Sequence, residues 1–233
     1  MSALLSPDEW TVLALSLKVS LVAVFLCLPV CFGIAWMLAR WRFPGKLLVD
    51  ALVHLPLVLP PVVTGWLLLI LFGMNGPVGR WLWEVSGVTL LFRWTGAALA
   101  AAIMAVPLMV RAIRLSIETI DRRLESAAAT LGASRARIFW TISLPLALPG
   151  VLAAIVLGFA RSLGEFGATI TFVSDVPGET RTLPIAIYAA MQMPDGEATV
   201  TRFAIFSIIL SLGALMGSEI LARRIARDER HVL

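Results

Sequence analysis

Charged residues are scarce in this chain of 233 residues. Asp, Glu, Lys and Arg together make up 15% of the sequence, hydrophobic residues make up 59%, and the mean hydropathy is +0.91. A soluble domain contains about 25% charged residues and about 45–50% apolar ones. The composition therefore excludes an ordinary soluble protein and predicts an integral membrane protein.

Motifs for nucleotide binding and catalysis are also missing. The chain has no Gly-x-x-x-x-Gly-Lys-Ser/Thr sequence, so it is not expected to bind nucleotide phosphates itself. Neither His54 nor His231 has neighbours that resemble metal ligands or a nucleophile with its base. Cys27 and Cys31 stand four residues apart in one apolar run, where a disulfide is poorly placed and a metal would lack further ligands. We expect no metal or cofactor in this chain, and an embedded enzyme or a membrane scaffold stays a distant alternative.

Five apolar runs have the length of roughly 20 residues that a helix needs to cross a hydrocarbon core. They cover residues 11–39, 47–72, 94–110, 146–173 and 203–222. None shows the alternation of a barrel strand, and backbone in lipid must be hydrogen-bonded within its own segment, so all five are predicted to be helices. We expect an all-α polytopic membrane protein with about five transmembrane helices. No hydrophilic block is long enough to fold alone, so residues 1–233 are expected to form a single transmembrane domain.

The distribution of Lys and Arg predicts the orientation in the membrane. Loops after the first, third and fifth runs hold 13 of the 19 basic residues, so they should be cytoplasmic. The segment before the first run contains Asp8 and Glu9 and no basic residue, unlike a cleaved signal peptide. The N-terminus is therefore expected outside and the C-terminus in the cytoplasm. The net charge of +4 is explained by the basic residues of the cytoplasmic loops. Membrane lipid is therefore the expected partner, and nucleic acid is not.

Two segments on the opposite side are longer than tight turns. Residues 73–93 mix Gly and Pro with Trp and Leu, which suits a short interfacial or re-entrant helix. Residues 174–202 have turn sequences at both ends and an apolar piece between them. That piece is too short to span a membrane and is expected to insert into a cavity.

The second apolar run is rich in proline. Pro56, Pro60 and Pro61 lie inside it, and each interior proline costs a helix roughly 3 kcal/mol, so we expect a kinked or broken helix. Transporters use such breaks where freed backbone faces a permeation pathway, and a simple packing kink is the alternative. Pro60, Pro61 and Thr64 are therefore candidates for a translocation pathway or its gate.

The fourth run carries two ionisable residues, Arg161 and Glu165, at helical i,i+4 spacing. One charge at the centre of a spanning helix costs about 2.5–3.5 kcal/mol. An i,i+4 pair returns only about 0.2–0.5 kcal/mol, so both groups should also face a cavity, another helix or a second copy of the chain. Gly164 and Gly167 flank the glutamate and allow close approach. This group is either an inter-helix clamp or part of the pathway and its gate.

A basic, helix-prone segment, about residues 118–145, separates the third and fourth runs. Good helix formers extend to Thr130, Gly132 interrupts them, Ser134 can cap a second helix, and Leu144-Pro145 is expected to stop it. This predicts a short helix-turn-helix outside the membrane. Composition alone favours an amphipathic helix lying on lipid headgroups.

The spacing in this segment resembles a known motif. Gly132 is followed after nine residues by Ile-x-Leu-Pro and preceded by Ala127-Ala128, as in the EAA loop of permease subunits of ABC importers. The resemblance implies a coupling helix that docks on a separate ATPase subunit, which holds ATP and Mg²⁺. The residues that would carry this role are Glu125, Ser126, Ala127, Ala128, Leu131, Gly132, Ala133, Ser134, Arg135, Phe139, Leu144 and Pro145. Ser126 stands where the family has its glutamate, and Glu125 lies one residue earlier.

Two further stretches, residues 55–73 and 159–188, closely resemble the molybdate-transporter permeases, and the likeness covers nearly the whole chain. The related sulfate and thiosulfate permeases share the Arg-x-x-Gly-Glu-aromatic-Gly core and are the alternative. The resemblance implies a homodimer with the pathway at its interface, two ATPase subunits and an extracytoplasmic molybdate-binding protein. It also implies import of molybdate, and of tungstate, by alternating access across the cytoplasmic membrane.

Overall fold

The computed structural model describes residues 6–230, and every regular element in this range is helical, which confirms the all-α prediction. A π-helical turn, Phe139–Ser143, joins α7 to α8. The helices are α1 Pro7–Arg40, α2 Lys46–Val58, α3 Pro61–Phe72, α4 Pro77–Ser86, α5 Trp94–Thr119, α6 Arg122–Thr130, α7 Arg135–Ile138, α8 Leu144–Leu163, α9 Gly167–Val173, α10 Leu183–Met191 and α11 Glu197–Arg230.

Three helices of the described chain are long and apolar enough to cross a membrane, namely α1, α5 and the continuous helical run Arg135–Leu163. Helices α2 and α3 make a fourth span if they are counted together, although they are bent by 114°. The fifth predicted run, residues 203–222, lies in α11, whose side chains are described only up to Gly213 and at Met216 and Gly217. The protein is therefore a multi-pass helical membrane protein.

The first helix begins with a capping box. The Ser6 hydroxyl accepts a hydrogen bond from the Glu9 amide at 3.2 Å, and the Glu9 carboxylate accepts one from the Ser6 amide at 2.7 Å. Glu9 also pairs with Arg202 of α11 at 2.7 Å. The start of α1 is thus fixed against α11, the last helix of the described residues.

The core forms where α1, α5 and α8 pack together. Small residues line the α5 side, and they let the neighbouring helices approach closely. The third run was predicted to end at residue 110, which is wrong, because α5 continues to Thr119. Ile113 and Ile117 keep one face of this extension fully buried, while its charged residues occupy the other.

The fourth run was predicted as one helix over residues 146–173, and this is also wrong. Helix α8 ends at Leu163, and α9 starts at Gly167 after a short break. Gly164 follows the last residue of α8, and the Glu165 carboxylate accepts a hydrogen bond from the Ala168 amide, in the first turn of α9, at 2.8 Å.

The two segments between spans are ordered as short helices. Residues 73–93 contain α4, as predicted. The apolar piece of residues 174–202 forms α10, where the Leu183 amide donates to the Ser16 hydroxyl of α1 at 2.7 Å and Leu183, Ile185 and Ala186 are buried. In the preceding loop, a two-point hydrogen bond with Asp175 raises the pKa of Arg181, which stays charged.

Candidate coupling segment and translocation pathway

Helices α6 and α7 form the predicted helix-turn-helix. The Asp121 side chain caps α6 through the Arg123 amide, and the Ser134 hydroxyl caps α7 through the Arg137 amide. Gly132 stands between them with φ +85°, a left-handed conformation that glycine adopts without strain. A Cβ on Gly132 would meet no atom within 4 Å, so a substitution there changes backbone energy and the outer surface but no internal contact.

The outer surface of this segment carries exposed apolar side chains among its arginines. Leu131 is 89% exposed and Trp140 is 66% exposed, and the α6 residues Ala127 and Ala129 are exposed beside them. Such a surface on a short helix pair is suited to contact with another protein. The coupling role of its residues remains a prediction.

Glu125 holds the segment to the rest of the molecule. Its Oε1 lies 2.8 Å from Nη2 of Arg40, the last residue of α1, and accepts a hydrogen bond from the Ser143 hydroxyl at 2.7 Å. Ser126, at the family's glutamate position, only donates to the Arg122 carbonyl within its own helix at 3.0 Å. Glu125, and not Ser126, therefore makes the polar contact between α6 and the body of the protein, and its carboxylate points toward α1.

Phe139 also faces the body of the protein. Its ring lies edge-on to Trp36 of α1 at a centroid distance of 5.2 Å, and it contacts Phe32 at 6.1 Å. Leu144-Pro145 was predicted to stop the second helix, which is wrong, because a continuous helical run passes through it. The π-helical turn ends just before Pro145, which sits in the first turn of α8, where its missing N–H costs little.

The two helix breaks in the membrane lie against each other. The first separates α2 from α3 at Leu59 and Pro60, and the second separates α8 from α9. A Cβ placed on Gly65 would lie 2.5 Å from the Ala168 carbonyl oxygen, and one on Gly167 would lie 2.8 Å from Pro61 Cβ. The predicted pathway residues of the two runs are thus brought together by close contact between α3 and α9.

The predicted pair of Arg161 and Glu165 is present, with 2.5 Å between Nη1 and Oε2. The Glu165 side chain is almost fully buried, whereas that of Arg161 is 24% exposed. Thr64 is also buried, and its hydroxyl has no hydrogen-bond partner among the described residues. Pro60 and Pro61 are exposed at the break. The break before α9 therefore holds a cation paired with a buried carboxylate, and α3 carries a buried hydroxyl without a partner among the described residues.

One charged network was missed by the sequence analysis. Asp50 of α2 pairs with Arg114 of α5 at 2.9 Å, and Arg114 pairs with Glu118 at 2.8 Å. The i,i+4 spacing of Arg114 with Glu118 is a local signal for that pair, whereas the contact of Arg114 with Asp50 of α2 has no local signal. Over residues 6–230, no group of three or more His, Cys, Asp and Glu residues is arranged to hold a metal ion.

Broken membrane helices, together with a helix-turn-helix outside the membrane, are features of a transport permease. The chain belongs to the family described as binding-protein-dependent transport system inner membrane component, whose model matches residues 30–227. It is a transport component of a membrane, not an enzyme.

Two relatives and one solved structure define its place in the family. The chain is 56% identical over 220 residues to the molybdenum transport system permease protein ModB of Escherichia coli (strain K12), covering 94% of this chain and 96% of that protein. It is 37% identical over 203 residues to the sulfate transport system permease protein CysT of the same strain, covering 85% and 72%. A bacterial ABC transporter involved in the import of alginate has the same fold, with a TM-score of 0.76 at 19% identity, covering 95% of this chain and 81% of that one.

Proposed function

We propose that this chain is the permease subunit of an ATP-driven importer that moves molybdate, and also tungstate, across the cytoplasmic membrane. The observation that carries this proposal is the 56% identity to the E. coli molybdenum permease, which extends over nearly the full length of both chains. The relative named for sulfate transport is more distant, at 37% identity. Sulfate or thiosulfate import is therefore the second candidate.

The proposed assembly contains two copies of this chain, two ATPase subunits that hold ATP and Mg²⁺, and an extracytoplasmic binding protein that delivers the oxyanion. The coupling segment lies in the cytoplasm, the N-terminus lies outside and the C-terminus lies inside. The apolar exposure of Leu131 and Trp140 supports docking of α6 and α7 on the ATPase.

The continuous passage of α7 into α8 supports a coupling role for this segment. The helical run Arg135–Leu163 has 29 residues, which is about 43 Å at 1.5 Å per residue. One end of this run is in the coupling segment, and Arg161 is near the other end, at the break before α9. A rigid shift of the coupling segment would therefore displace the Arg161–Glu165 cluster and the α3–α9 contact. This connection would convert ATPase closure into alternating access.

The pathway in this proposal passes the two breaks, with Pro60, Pro61, Thr64, Arg161, Gly164, Glu165 and Gly167 as its pathway or gate residues. Arg161 supplies the positive charge that an oxyanion requires, and Glu165 holds that charge in place. Since transit requires release, a single partly neutralised guanidinium fits the task better than a closed anion cage.

Reconstitution with subunits omitted tests the proposal. Vesicles that contain the permease, its ATPase and its binding protein should accumulate labelled molybdate when ATP is supplied. Vesicles that lack any one of the three should not. Uptake by the permease alone, or none by the complete system, would reject an ATP-driven importer.

A further inference from the structure

A notch between α2 and α5 holds charges that the proposed pathway cluster does not include. It encloses about 300 Å³. It is lined by Asp50, His54, Arg111, Arg114, Leu115 and Glu118.

The notch lies on the side of the molecule that carries the coupling segment. Only two residues separate the end of α5 at Thr119 from the start of α6, and Arg111 is eight residues before that end. This places the Arg111 backbone about 12 Å along the helix from its end. The last turns of α5 thus carry their charged residues close to the coupling segment. The notch is therefore a polar recess that opens toward the coupling-segment side.

The two arginines of the notch differ in their partners. Arg114 is engaged on two sides, with Nη1 2.9 Å from Asp50 Oδ1 and Nε 2.8 Å from Glu118 Oε1. Arg111 is exposed, and among the described residues no carboxylate lies within ion-pair distance of it. Asp50 is also 3.5 Å from Nδ1 of His54, the nitrogen that lies 2.8 Å from the Asp50 carbonyl oxygen. The recess thus presents one open guanidinium and one guanidinium bound to a carboxylate of another helix.

We propose that this notch is a transit site for a tetrahedral oxyanion, contacted by Arg111 and Arg114, in which Asp50 is the internal anion that the substrate displaces. The proposal rests on the proposed function for the identity of the anion. A guanidinium binds carboxylates and tetrahedral oxyanions with the same N–H groups, so the Asp50 carboxylate occupies the position that an oxyanion would take on Arg114. Competition with Asp50 keeps binding weak, and weak binding permits release.

Displacement of Asp50 from Arg114 by the oxyanion would also loosen α2. No residue of α2 is buried, and its main packing partner is α5, so the Asp50–Arg114 pair is a principal polar tie between this half-span and the body. An oxyanion on Arg114 would break that tie while it occupies the site. Passage of the substrate and loosening of α2 are thereby linked.

Equilibrium binding of labelled molybdate to the permease–ATPase complex in phosphatidylcholine nanodiscs, without the binding protein, tests the proposal. Asp50→Asn removes the internal competitor and keeps a side chain of the same shape, so the Kd should fall about fivefold or more, the scale of one lost charge-assisted contact. Arg111→Gln should raise the Kd by a similar factor, and Arg111→Lys should recover part of the loss. A merely structural ion pair predicts the opposite sign for Asp50→Asn, or no change.

Arg80→Gln is the matched control. Arg80 pairs with Glu84 on the exposed surface of α4, outside the notch, so this variant should bind molybdate as the wild type does. Unchanged or weaker binding by Asp50→Asn, or unchanged binding by Arg111→Gln, would overturn the proposal. If Asp50→Asn does not fold, the Arg111 variants decide, because that side chain makes no ion pair within the described residues. Wild-type uptake in the reconstituted system tests the proposed function separately. A negative result for the notch therefore does not reject that function.

Discussion

Glu125 and Arg40 form an ion pair of 2.8 Å between residues that are 85 positions apart in the sequence. The pair joins α6 of the coupling segment to the end of α1, and the Ser143 hydroxyl adds a second contact to the same carboxylate oxygen. The side chains of Arg40 and Glu125 are 10% and 23% exposed, so water screens their attraction only in part. The coupling segment is therefore attached to the membrane helices by a defined polar joint.

The first prediction concerns this joint. Glu125→Gln removes the charge and keeps the size, so it should weaken the attachment by about 1–3 kcal/mol, the range for losing a partner of a charged hydrogen bond. We expect the variant to assemble with the ATPase and hydrolyse ATP while importing several-fold less molybdate per ATP.

Glu84→Gln is its control, since Glu84 makes the same kind of ion pair, with Arg80, on the exposed surface of α4 and outside the coupling segment. That variant should retain normal coupling. A normal ratio of molybdate to ATP in Glu125→Gln would show that the joint does not transmit force.

The second prediction concerns Gly132. Asn and Asp both tolerate the left-handed conformation that this position adopts, so Gly132→Asn and Gly132→Asp differ in charge with little difference in backbone strain. A carboxylate at an apolar docking surface should abolish transport, and the amide should retain most of it. Uptake and ATPase co-purification are measured for both variants. Equal, normal uptake by the two would place Gly132 outside the docking surface.

The coupling segment shows what the sequence could and could not predict. Helix formers, Gly132 and the Ser134 cap are local signals, so the helix-turn-helix was predicted correctly. The partner of Glu125 is on α1, and no local pattern reports a contact across 85 residues. Leu144-Pro145 suggested a helix end because proline lacks an N–H, but the π-helical turn before it lets the helix continue.

Of the two helix breaks in the membrane, the sequence predicts one and not the other. Pro60-Pro61 predicted the break between α2 and α3, since proline acts on its own helix. The break after Leu163 has no proline, and the contact of the Glu165 carboxylate with the Ala168 amide at this break has no counterpart in a sequence pattern. The Asp50–Arg114 pair could not be predicted because it depends on how α2 lies against α5.

The third prediction concerns the two roles of Glu165. Glu165→Ala leaves Arg161 unpaired and also removes a hydrogen bond to the first turn of α9, so assembly and uptake should both fall. The double variant Arg161→Ala, Glu165→Ala has no unpaired charge but still lacks the hydrogen bond to the Ala168 amide, so assembly should recover in part while uptake stays low. The amount of assembled complex and the uptake rate are measured for each. A double variant that assembles no better than Glu165→Ala would contradict direct pairing.

The fourth prediction concerns the contact between α3 and α9. Gly65→Ala would place a methyl group 2.5 Å from the Ala168 carbonyl oxygen, and overpacking of this kind costs about 1–3 kcal/mol. We expect lower thermal stability in detergent and impaired uptake.

Gly33→Ala is the matched control, because a Cβ on Gly33 of α1 meets no atom within 4 Å. It should leave stability unchanged or raise it slightly through helix propensity. Equal thermal stability of the two variants would contradict the close contact of α3 with α9.

The most direct test of the proposed transport function is competition among oxyanions in the complete reconstituted system. Labelled molybdate uptake is measured with its binding protein and ATPase present, against increasing unlabelled molybdate, tungstate and sulfate. The identity to the molybdenum permease predicts strong competition by molybdate and tungstate and little by sulfate at the same concentration. Displacement of molybdate by sulfate at equal or lower concentration would contradict molybdate import and favour a sulfate permease.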